Sequence, residues 1–189
     1  MKPLLIVISG PPCAGKTTLA QLLGERFAWP VMGKDTPKEL LFDTLGWQDR
    51  ERSRAFGRAS IALLFQFVDT QLTARRSCII ESNFRADVDG PRFLALRERH
   101  AFVAMHVNCF ADGNVLLERF KQRSESTERH PGHRDQLNYD ELRPIVSAGR
   151  MEPLSIGGPV GGPVLEIDTT TFDTVDLAAV YEEINRLYQ

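Results

Sequence analysis

Residues 10–17 read GPPCAGKT and directly follow the apolar run LLIVI of residues 4–8. This is the pattern G-x-x-x-x-G-K-[ST] in the strand–loop–helix context that makes it a phosphate-binding loop. The glycines let the backbone curl until successive N–H groups point at one anion, and the helix that begins near Lys16 directs its positive end toward that anion. A glycine-rich turn that merely connects strand to helix does not explain why Lys16 and Thr17 follow the second glycine.

The loop therefore predicts a nucleotide site. Lys16 can reach the β- and γ-phosphates, and Thr17 can offer its hydroxyl to Mg²⁺. The residues expected to bind the nucleotide here are Gly10, Pro11, Pro12, Cys13, Ala14, Gly15, Lys16, Thr17 and Thr18.

Length and composition are those of an ordinary globular protein. The chain has 189 residues, 42% of them hydrophobic and 25% charged, so we expect residues 1–189 to form one domain with a sizeable core. The formal charge of −2 gives no global basic field for gripping nucleic acid, but it leaves room for a local basic patch.

The cysteines and the first residues bear on the compartment. Cys13, Cys78 and Cys109 are odd in number, widely spaced and without a CxxC pair, so we expect reduced thiols rather than a disulfide or zinc framework. The apolar run before the loop is too short for the core of a signal peptide, and no stretch approaches the length of a membrane span. These features predict a cytoplasmic protein that does not act at a membrane.

Short apolar runs alternate with longer helical patterns along the chain. Strands are expected at residues 4–8, 30–33, 78–81, 102–107 and 164–167. Helices are expected at residues 16–27, 37–45, 50–75, 88–99, 113–122, 139–148 and 174–187. This order predicts an α/β fold in which helices cover both faces of a parallel sheet.

Several local features refine this pattern. The helical spacing of Phe56, Ala59, Leu63 and Phe67 predicts that this stripe faces the core. Capping is expected from Asp112 or Asn114 for the fifth helix and from Asp173 or Thr174 for the last one. Residues 124–136 are polar and predict a mobile surface segment. The tandem sequence GGPVGGPV at residues 157–164 is interpreted as a local duplication in a loop.

Asp35 follows the second predicted strand, at the sheet edge where ligands of open parallel sheets sit. Its carboxylate can accept the proton of a hydroxyl that attacks a γ-phosphate. The alternative is that Asp35 caps the helix beginning at Thr36 and Pro37, a role that Thr36 could also take.

Glu81 ends the third predicted strand, next to the loop. It is a candidate for holding Mg²⁺ or its bound water, and also for the catalytic base, against the alternative of a carboxylate at a solvated strand end. Ser82, Asn83 and Arg85 follow at the same edge and are candidate substrate contacts.

Arginines near the fifth helix suggest a lid. Arg119 and Arg123 are four residues apart on one helical face, where a shared anion would turn their repulsion into a favourable interaction. Arg129, His130, His133 and Arg134 continue this basic character into the polar segment. A mobile cationic lid could close over phosphates, and the alternative is a solvated basic face neutralised by nearby glutamates. The histidine spacing gives little support for a metal site. The glutamates that would neutralise the solvated basic face are Glu118, Glu125 and Glu128.

These motifs together resemble a known family. Their order is the phosphate loop, KDT at residues 34–36, IIESNF at residues 79–84, RFKQR at residues 119–123 and RHPGH at residues 129–133. The chain is similar to the small P-loop kinases of the AAA-type "predicted kinase" group, which includes polynucleotide kinase domains. The zeta-toxin and chloramphenicol phosphotransferase kinases are more distant relatives. The resemblance runs from Leu4 to about Tyr188.

The resemblance implies an α/β P-loop NTPase fold with three α/β/α layers. The five-stranded parallel sheet would have the order 2-3-1-4-5, and a helical lid would occupy approximately residues 118–137. ATP and Mg²⁺ are implied, with Thr17 and Glu81 toward the metal and Asp35 as the base. Arg119 would lie against the adenine and Arg123 and Arg129 near the phosphates. Thr169, in the loop after the last strand, would pass the adenine ring.

The chain also departs from this family in two ways. Glu81 stands where many relatives have Asp, and only Lys38 is a candidate among the substrate-binding basic residues that polynucleotide kinases carry after the Asp. A nucleic acid is therefore expected only as an acceptor. The lack of further basic residues after Asp35 weakens the case for this acceptor.

Two functional hypotheses result. In the first, an ATP-dependent kinase phosphorylates a hydroxyl of an unidentified acceptor, with Lys16, Asp35, Arg123 and Arg129 as catalytic residues. In the second, a nucleotide-dependent regulatory ATPase acts as a switch without an acceptor. The sequence carries neither the guanine motif N-K-x-D nor the ABC signature L-S-G-G-Q.

Overall fold

The computed structural model describes residues 2–127, 129–154 and 162–189. Within these ranges the strands are β1 (Leu4–Ser9), β2 (Val31–Gly33), β3 (Cys78–Glu81), β4 (Val103–Phe110) and β5 (Val164–Asp168). The α-helices of the same ranges are α1 (Lys16–Phe27), α2 (Asp35–Leu45), α3 (Arg50–Thr73), α4 (Ala86–Arg99), α5 (Gly113–Glu125), α6 (Tyr139–Ser147) and α7 (Leu177–Leu187).

The strand β1 lies at the centre of the sheet, and all of its residues are buried. In the described part of the chain, five parallel strands form one sheet in the order β2-β3-β1-β4-β5. This confirms the predicted fold class and strand order. The register places Ile8 beside Glu81 and Ser9 beside Asn108, so the polar ends of neighbouring strands meet along the carboxyl edge.

Alternate residues of β1 serve the two helical layers. Leu4, Ile6 and Ile8 belong to a core to which α1, α5, α6 and α7 contribute. Leu5 and Val7 belong to a second core, on the other face, which α3 and α4 complete. A sheet buried on both faces requires continuous apolar strands rather than alternating ones, which is why the short runs could be recognised in the sequence.

The core-facing side of α3 differs from the prediction. Ala59 and Leu63 are exposed, while Phe56 and Phe67 are half-buried. The buried positions are Ser53, Ser60, Leu64, Val68 and Leu72. The prediction was wrong for Ala59 and Leu63, because it followed apolar residues alone, whereas two serines occupy the buried face. Phe67 does pack against the second core. Ser60 satisfies its hydroxyl within the helix by donating to the Phe56 carbonyl oxygen at 2.8 Å.

The helix ends agree partly with the predicted caps. Asp112 caps α5, because its carboxylate accepts hydrogen bonds from the backbone N–H groups of Asn114 and Val115. The cap of α7 is Asp176, which accepts from Ala179 N, rather than Asp173 or Thr174. The chain forms a 3-10 turn over Phe172–Thr174 first, and this turn delays the start of the helix.

Three further predictions concern thiols, membranes and the tandem repeat. Cys13, Cys78 and Cys109 all fall in the described ranges and are free thiols. No helix of the described residues has the length and apolar character to cross a membrane. Most of the repeat lies outside the described residues, and its last residue, Val164, opens β5.

A buried polar cluster links β1 to β4. His106 Nε2 lies 2.6 Å from Ser9 Oγ, and Ser9 Oγ donates to Asn108 Oδ1 at 3.3 Å. His106 Nδ1 is buried without a hydrogen-bond partner among the described residues. Burial lowers the pKa of His106 to about 4, so the folded protein holds this imidazole in its neutral form at neutral pH.

The buried imidazole predicts that stability falls in acid. Between about pH 6.5 and about pH 4 the unfolded chain binds a proton at His106 that the folded chain does not, so the free energy of unfolding decreases as the pH falls through this window. The expected contribution is about 2 kcal/mol between about pH 7 and about pH 5. Urea unfolding at both pH values measures it, and His106→Gln should lose correspondingly less stability. Equal losses in the two proteins would contradict the assignment.

Candidate active site

The loop between β1 and α1 is held in a tight curl. Gly10 has φ +139°, and a Cβ atom at this residue would come within 2.1 Å of the Cys109 carbonyl oxygen. Gly15 has φ +69°, and a Cβ atom there would meet the Phe172 ring at 2.8 Å. Both glycines of the motif are therefore required by space as well as by backbone conformation.

Lys16 is buried at the base of this loop, with 9% of its surface exposed. Its Nζ donates a hydrogen bond to the carbonyl oxygen of Pro11 at 2.7 Å. Burial lowers the pKa of Lys16, and the carboxylate of Glu81 is the strongest influence in the opposite direction. The site thus holds a desolvated cation at the position where the motif predicts nucleotide phosphates.

Thr17, in the first turn of α1, and Glu81, the last residue of β3, are brought together. The Thr17 hydroxyl donates to Glu81 Oε1 at 3.1 Å. Glu81 is only 7% exposed, so the alternative of a solvated strand end is wrong. Burial raises the pKa of Glu81, and the charge of Lys16 opposes this. A hydroxyl and a carboxylate are the oxygen donors that Mg²⁺ takes, so these two residues fit the implied metal.

Asp35 is the first residue of α2, and its carboxylate faces the lid. Asp35 Oδ2 accepts a hydrogen bond from Arg129 Nη1 at 2.7 Å. The helix cap is Lys34, with no side-chain capping bond, so neither Asp35 nor Thr36 has the alternative capping role. Burial acts to raise the pKa of Asp35, but the guanidinium of Arg129 and the charges of its other neighbours hold it well below the usual range. Asp35 is therefore an ionised, engaged carboxylate.

The predicted lid arginines point at the site and at one shared acid. Asp135 is 8% exposed and accepts from Arg129 Nε at 2.9 Å and from Arg123 Nη2 at 3.3 Å. Arg119 donates to the carbonyl oxygens of Thr169 and Thr170, at 2.9 Å each. In the described part of the chain, these arginines contact acids and carbonyls of the site rather than Glu118 or Glu125, which disfavours the solvated basic face. Glu128, the third glutamate of that alternative, lies outside the described residues.

The polar segment after α5 is docked against α2, where the sequence predicted a mobile surface. His133 is buried in a 3-10 turn (Pro131–His133), and its Nε2 lies 2.7 Å from Glu39 Oε1. His130 stacks on the Phe42 ring at a centroid distance of 5.1 Å. The contacts of these two histidines with Glu39 and Phe42 therefore hold the segment in place. The polar composition of the segment does not indicate them.

Asp35, Glu39 and His133 form a cluster that could hold a metal by its spacing, with ligand atoms within 4.8 Å of one another. A cationic side chain already pairs with the acids of this cluster, because Arg129 Nη1 lies 2.7 Å from Asp35 Oδ2 and 3.6 Å from Glu39 Oε1. Burial lowers the pKa of His133 to about 3. We therefore assign the cluster to the ion pairs that close the lid.

One cavity of about 770 Å³ joins most of the predicted site residues. Those that line it are Pro12, Cys13, Ala14, Gly15, Lys16, Thr17, Thr18, Asp35, Lys38, Glu81, Ser82, Asn83, Arg85, Arg119, Arg123 and Arg129. Gly10 and Pro11 are buried beneath the loop. Thr169 does not reach the cavity: it is fully buried, and its hydroxyl donates to the carbonyl oxygens of Ala14 and Phe110.

Thr169 thus supports the loop from behind through its side chain. That the loop carrying it passes the adenine ring stays a prediction. The sequence analysis also missed Asp135 and Glu39, which bind the lid arginine. Neither stands in a recognisable motif, so only the docking of the lid segment reveals them. Gly33 was missed as well, although a Cβ atom there would lie 2.3 Å from Glu81 Oε1.

A family model described as "AAA domain" matches residues 5–141. The chain belongs to this AAA domain family. A solved structure described as a putative kinase from Chloroflexus aurantiacus is 39% identical to it, covers 100% of both chains and has a TM-score of 0.91. These findings show that this AAA domain protein is a small P-loop kinase-like protein, as the resemblance implied.

More distant structures share the fold of this AAA domain protein. A structure of the PezAT chromosomal toxin-antitoxin system of Streptococcus pneumoniae is 13% identical, covers 100% of this chain and 88% of that chain, and has a TM-score of 0.53. A sugar kinase from Janibacter sp. is 17% identical, with coverages of 88% and 86% and a TM-score of 0.50. No curated protein sequence matches the chain.

The space at Gly33 generates a prediction about Glu81. In Gly33→Ala the new Cβ atom would displace the Glu81 carboxylate from Thr17, so we expect the Mg²⁺ concentration for half-maximal ATP turnover to rise about tenfold. Gly90→Ala is the matched control, because nothing lies within 4 Å of a Cβ atom at Gly90. An unchanged Mg²⁺ requirement in a folded Gly33→Ala protein would remove Glu81 from the metal site.

Proposed function

We propose that this protein is an ATP-dependent kinase that transfers the γ-phosphoryl group to a hydroxyl of an acceptor. The observation that carries the proposal is the arrangement along one edge of the sheet. A buried lysine in a phosphate loop, a hydroxyl–carboxylate pair and an ionised aspartate held by a lid arginine all line the same cavity. Phosphoryl transfer requires mainly positioning and electrostatic stabilisation, and these groups supply both.

The donor half of the site is built from the loop and α1. The loop N–H groups and Lys16 would hold the β- and γ-phosphates, and Thr17 with Glu81 would hold Mg²⁺. When bound, the metal would neutralise charge on the phosphate oxygens. Lys16 is already desolvated, so its attraction to a phosphate is weakened little by water.

Asp35 would orient the acceptor hydroxyl and take its proton. While Arg129 is bound to it, Asp35 is a weak base, because its pKa is held well below the usual range. A γ-phosphate competes for Arg129, since a guanidinium fork matches phosphate oxygens as well as a carboxylate. Closure over a bound nucleotide would therefore stabilise the transferring group and free Asp35 in one movement.

Arg123 would assist from the same side. It shares Asp135 with Arg129, and its Nε is buried without a hydrogen-bond partner among the described residues. A buried donor without a partner is costly, and a phosphate oxygen would satisfy it. Arg119, anchored on the loop after β5, would flank the nucleoside end.

The experiment that tests the proposal is a product balance. ATP consumption is screened against nucleosides, nucleotides, sugars, aminoglycosides and 5′-hydroxyl oligonucleotides, and ADP, free phosphate and phosphorylated acceptor are quantified. A kinase yields ADP and phosphorylated acceptor in equal amounts. ADP matched by free phosphate with every compound would instead support the regulatory ATPase and overturn the proposal.

Two substitutions separate nucleotide binding from base catalysis. Lys16→Ala should abolish turnover. Asp35→Asn should lower kcat by about 100-fold or more and leave the KM for ATP within about threefold, because the amide cannot accept the proton. Glu98→Gln is the matched carboxylate-to-amide control on the exposed side of α4 and should behave as the wild type. Full kcat in Asp35→Asn would remove Asp35 from the base role.

A further inference from the structure

The basic residues of this chain are concentrated in the cavity. Eleven of the 23 lysines and arginines line it, against five of the 25 aspartates and glutamates. The remainder of the chain therefore has twelve basic and twenty acidic residues, so a positive cavity opens in an acidic exterior. The loop and the lid account for Lys16, Arg119, Arg123 and Arg129, and this leaves a basic group on the acceptor side unexplained.

Four of the remaining cations lie near Gly57, two of them at the start of α2 and two close to Gly57 in the sequence of α3. Lys34 and Lys38 lie one turn apart at the start of α2, and their Cε atoms are 3.9 and 4.0 Å from the position of a Gly57 Cβ atom. Arg54 and Arg58 flank Gly57 on α3, and all four side chains line the cavity. We call this group the Gly57 cluster.

The charges of the Gly57 cluster are poorly compensated. Among the described residues, Lys38 Nζ and the Arg58 guanidinium have no hydrogen bond or ion pair, and the Lys38 ammonium only approaches the Phe42 ring, at 5.2 Å from its centroid. Arg54 contacts Glu141 at 3.4 Å, but this carboxylate also pairs with Arg50. Lys34 bonds the neutral side chain of Asn83 at 3.4 Å.

The neighbouring acid, Asp35, compensates the two lysines only in part. Asp35 lies between the two lysines in sequence, but its carboxylate is bound by Arg129. Burial, followed by the charge of Lys34, lowers the pKa of Lys38 to about 8. The repulsion among these cations therefore costs free energy, and a bound anion would remove this cost.

The glycine itself is a second observation. Glycine in the interior of a helix costs about 1 kcal/mol relative to alanine. Apart from the neighbouring backbone of α3 itself, no backbone atom of the described residues comes within 4 Å of a Cβ atom at Gly57, so packing against other elements does not exclude a side chain here. The missing side chain leaves the cavity open at Gly57, beside the two lysines, and we call this open position the floor.

From these contacts we infer that the Gly57 cluster binds a compact anionic group of the acceptor, of the phosphomonoester type, at a distance from the hydroxyl that Asp35 activates. The inference rests on the proposed kinase function and names its substrate class: a small alcohol that already carries a phosphate. Two lysines and two arginines supply N–H groups that can donate hydrogen bonds to phosphate oxygens. A long nucleic acid is disfavoured, because its backbone would continue onto the acidic exterior.

The first experiment measures the anion site without phosphoryl transfer. The full chain is saturated with Mg²⁺ and a non-hydrolysable ATP analogue, so that the loop is filled, and inorganic phosphate is titrated by calorimetry. We expect one saturable site whose Kd rises about tenfold or more in Lys38→Gln/Arg58→Gln. Gly57→Leu retains every charge but fills the floor, and should weaken phosphate comparably.

The control variant loses the same number of positive charges at positions away from the cavity. Arg76→Gln/Arg143→Gln removes two exposed arginines that do not line it, and its Kd should stay within about twofold of the wild type. Thermal melting confirms that each variant is folded. Absence of saturable phosphate binding, or an equal Kd in a folded Lys38→Gln/Arg58→Gln protein, overturns the inference.

The second experiment compares matched acceptors that differ by one phosphate, such as ribose and ribose 5-phosphate, together with a 5′-hydroxyl oligonucleotide. The phosphorylated member should have a kcat/KM higher by about tenfold or more, and Lys38→Gln/Arg58→Gln should lose this preference through KM. Preference for the unphosphorylated member or the oligonucleotide overturns the inference. Phosphate binding at the cluster without turnover of any acceptor supports the anion site and overturns the kinase proposal, so the two failures are distinguishable.

Discussion

A cation buried at the carboxyl end of β1 is the constraint around which the site is organised. Lys16 can be desolvated there because the Pro11 carbonyl oxygen accepts its hydrogen bond and Glu81 offsets its charge. Glu81 occupies that position only because Gly33, on the neighbouring strand, has no side chain. The parallel sheet thus brings one lysine, one carboxylate and one loop together at its carboxyl edge, where we propose that they act on the same anion.

The segment after α5, the proposed lid, adds a second set of electrostatic interactions to the site. Arg129 is shared by Asp35 and Asp135, and the segment that carries it is fixed on α2 by His130 and His133. The proposed base and the proposed charge-stabilising arginine therefore neutralise each other. In this account a nucleotide does not merely fill a cavity but competes for Arg129, and the competition couples closure of the site to the activity of its base.

Much of this architecture could be predicted from the sequence. The strands, the loop and the edge positions of Asp35 and Glu81 follow from local patterns, because a buried parallel sheet imposes apolar runs and places strand ends together. The buried face of α3 could not be predicted, since Ser53 and Ser60 occupy core positions that a polarity pattern assigns to water. The role of Asp135 could not be predicted either, because it depends on how a polar segment docks. No local sequence pattern encodes this docking.

The central claim is that Arg129 leaves Asp35 for the transferring phosphate. A crystal structure of the protein with Mg²⁺ and a non-hydrolysable ATP analogue tests it most directly. The account predicts that the contact between Arg129 Nη1 and Asp35 Oδ2, 2.7 Å long here, is broken and that the guanidinium lies on the γ-phosphate. An Arg129 that still binds Asp35 while other groups contact the γ-phosphate would contradict it.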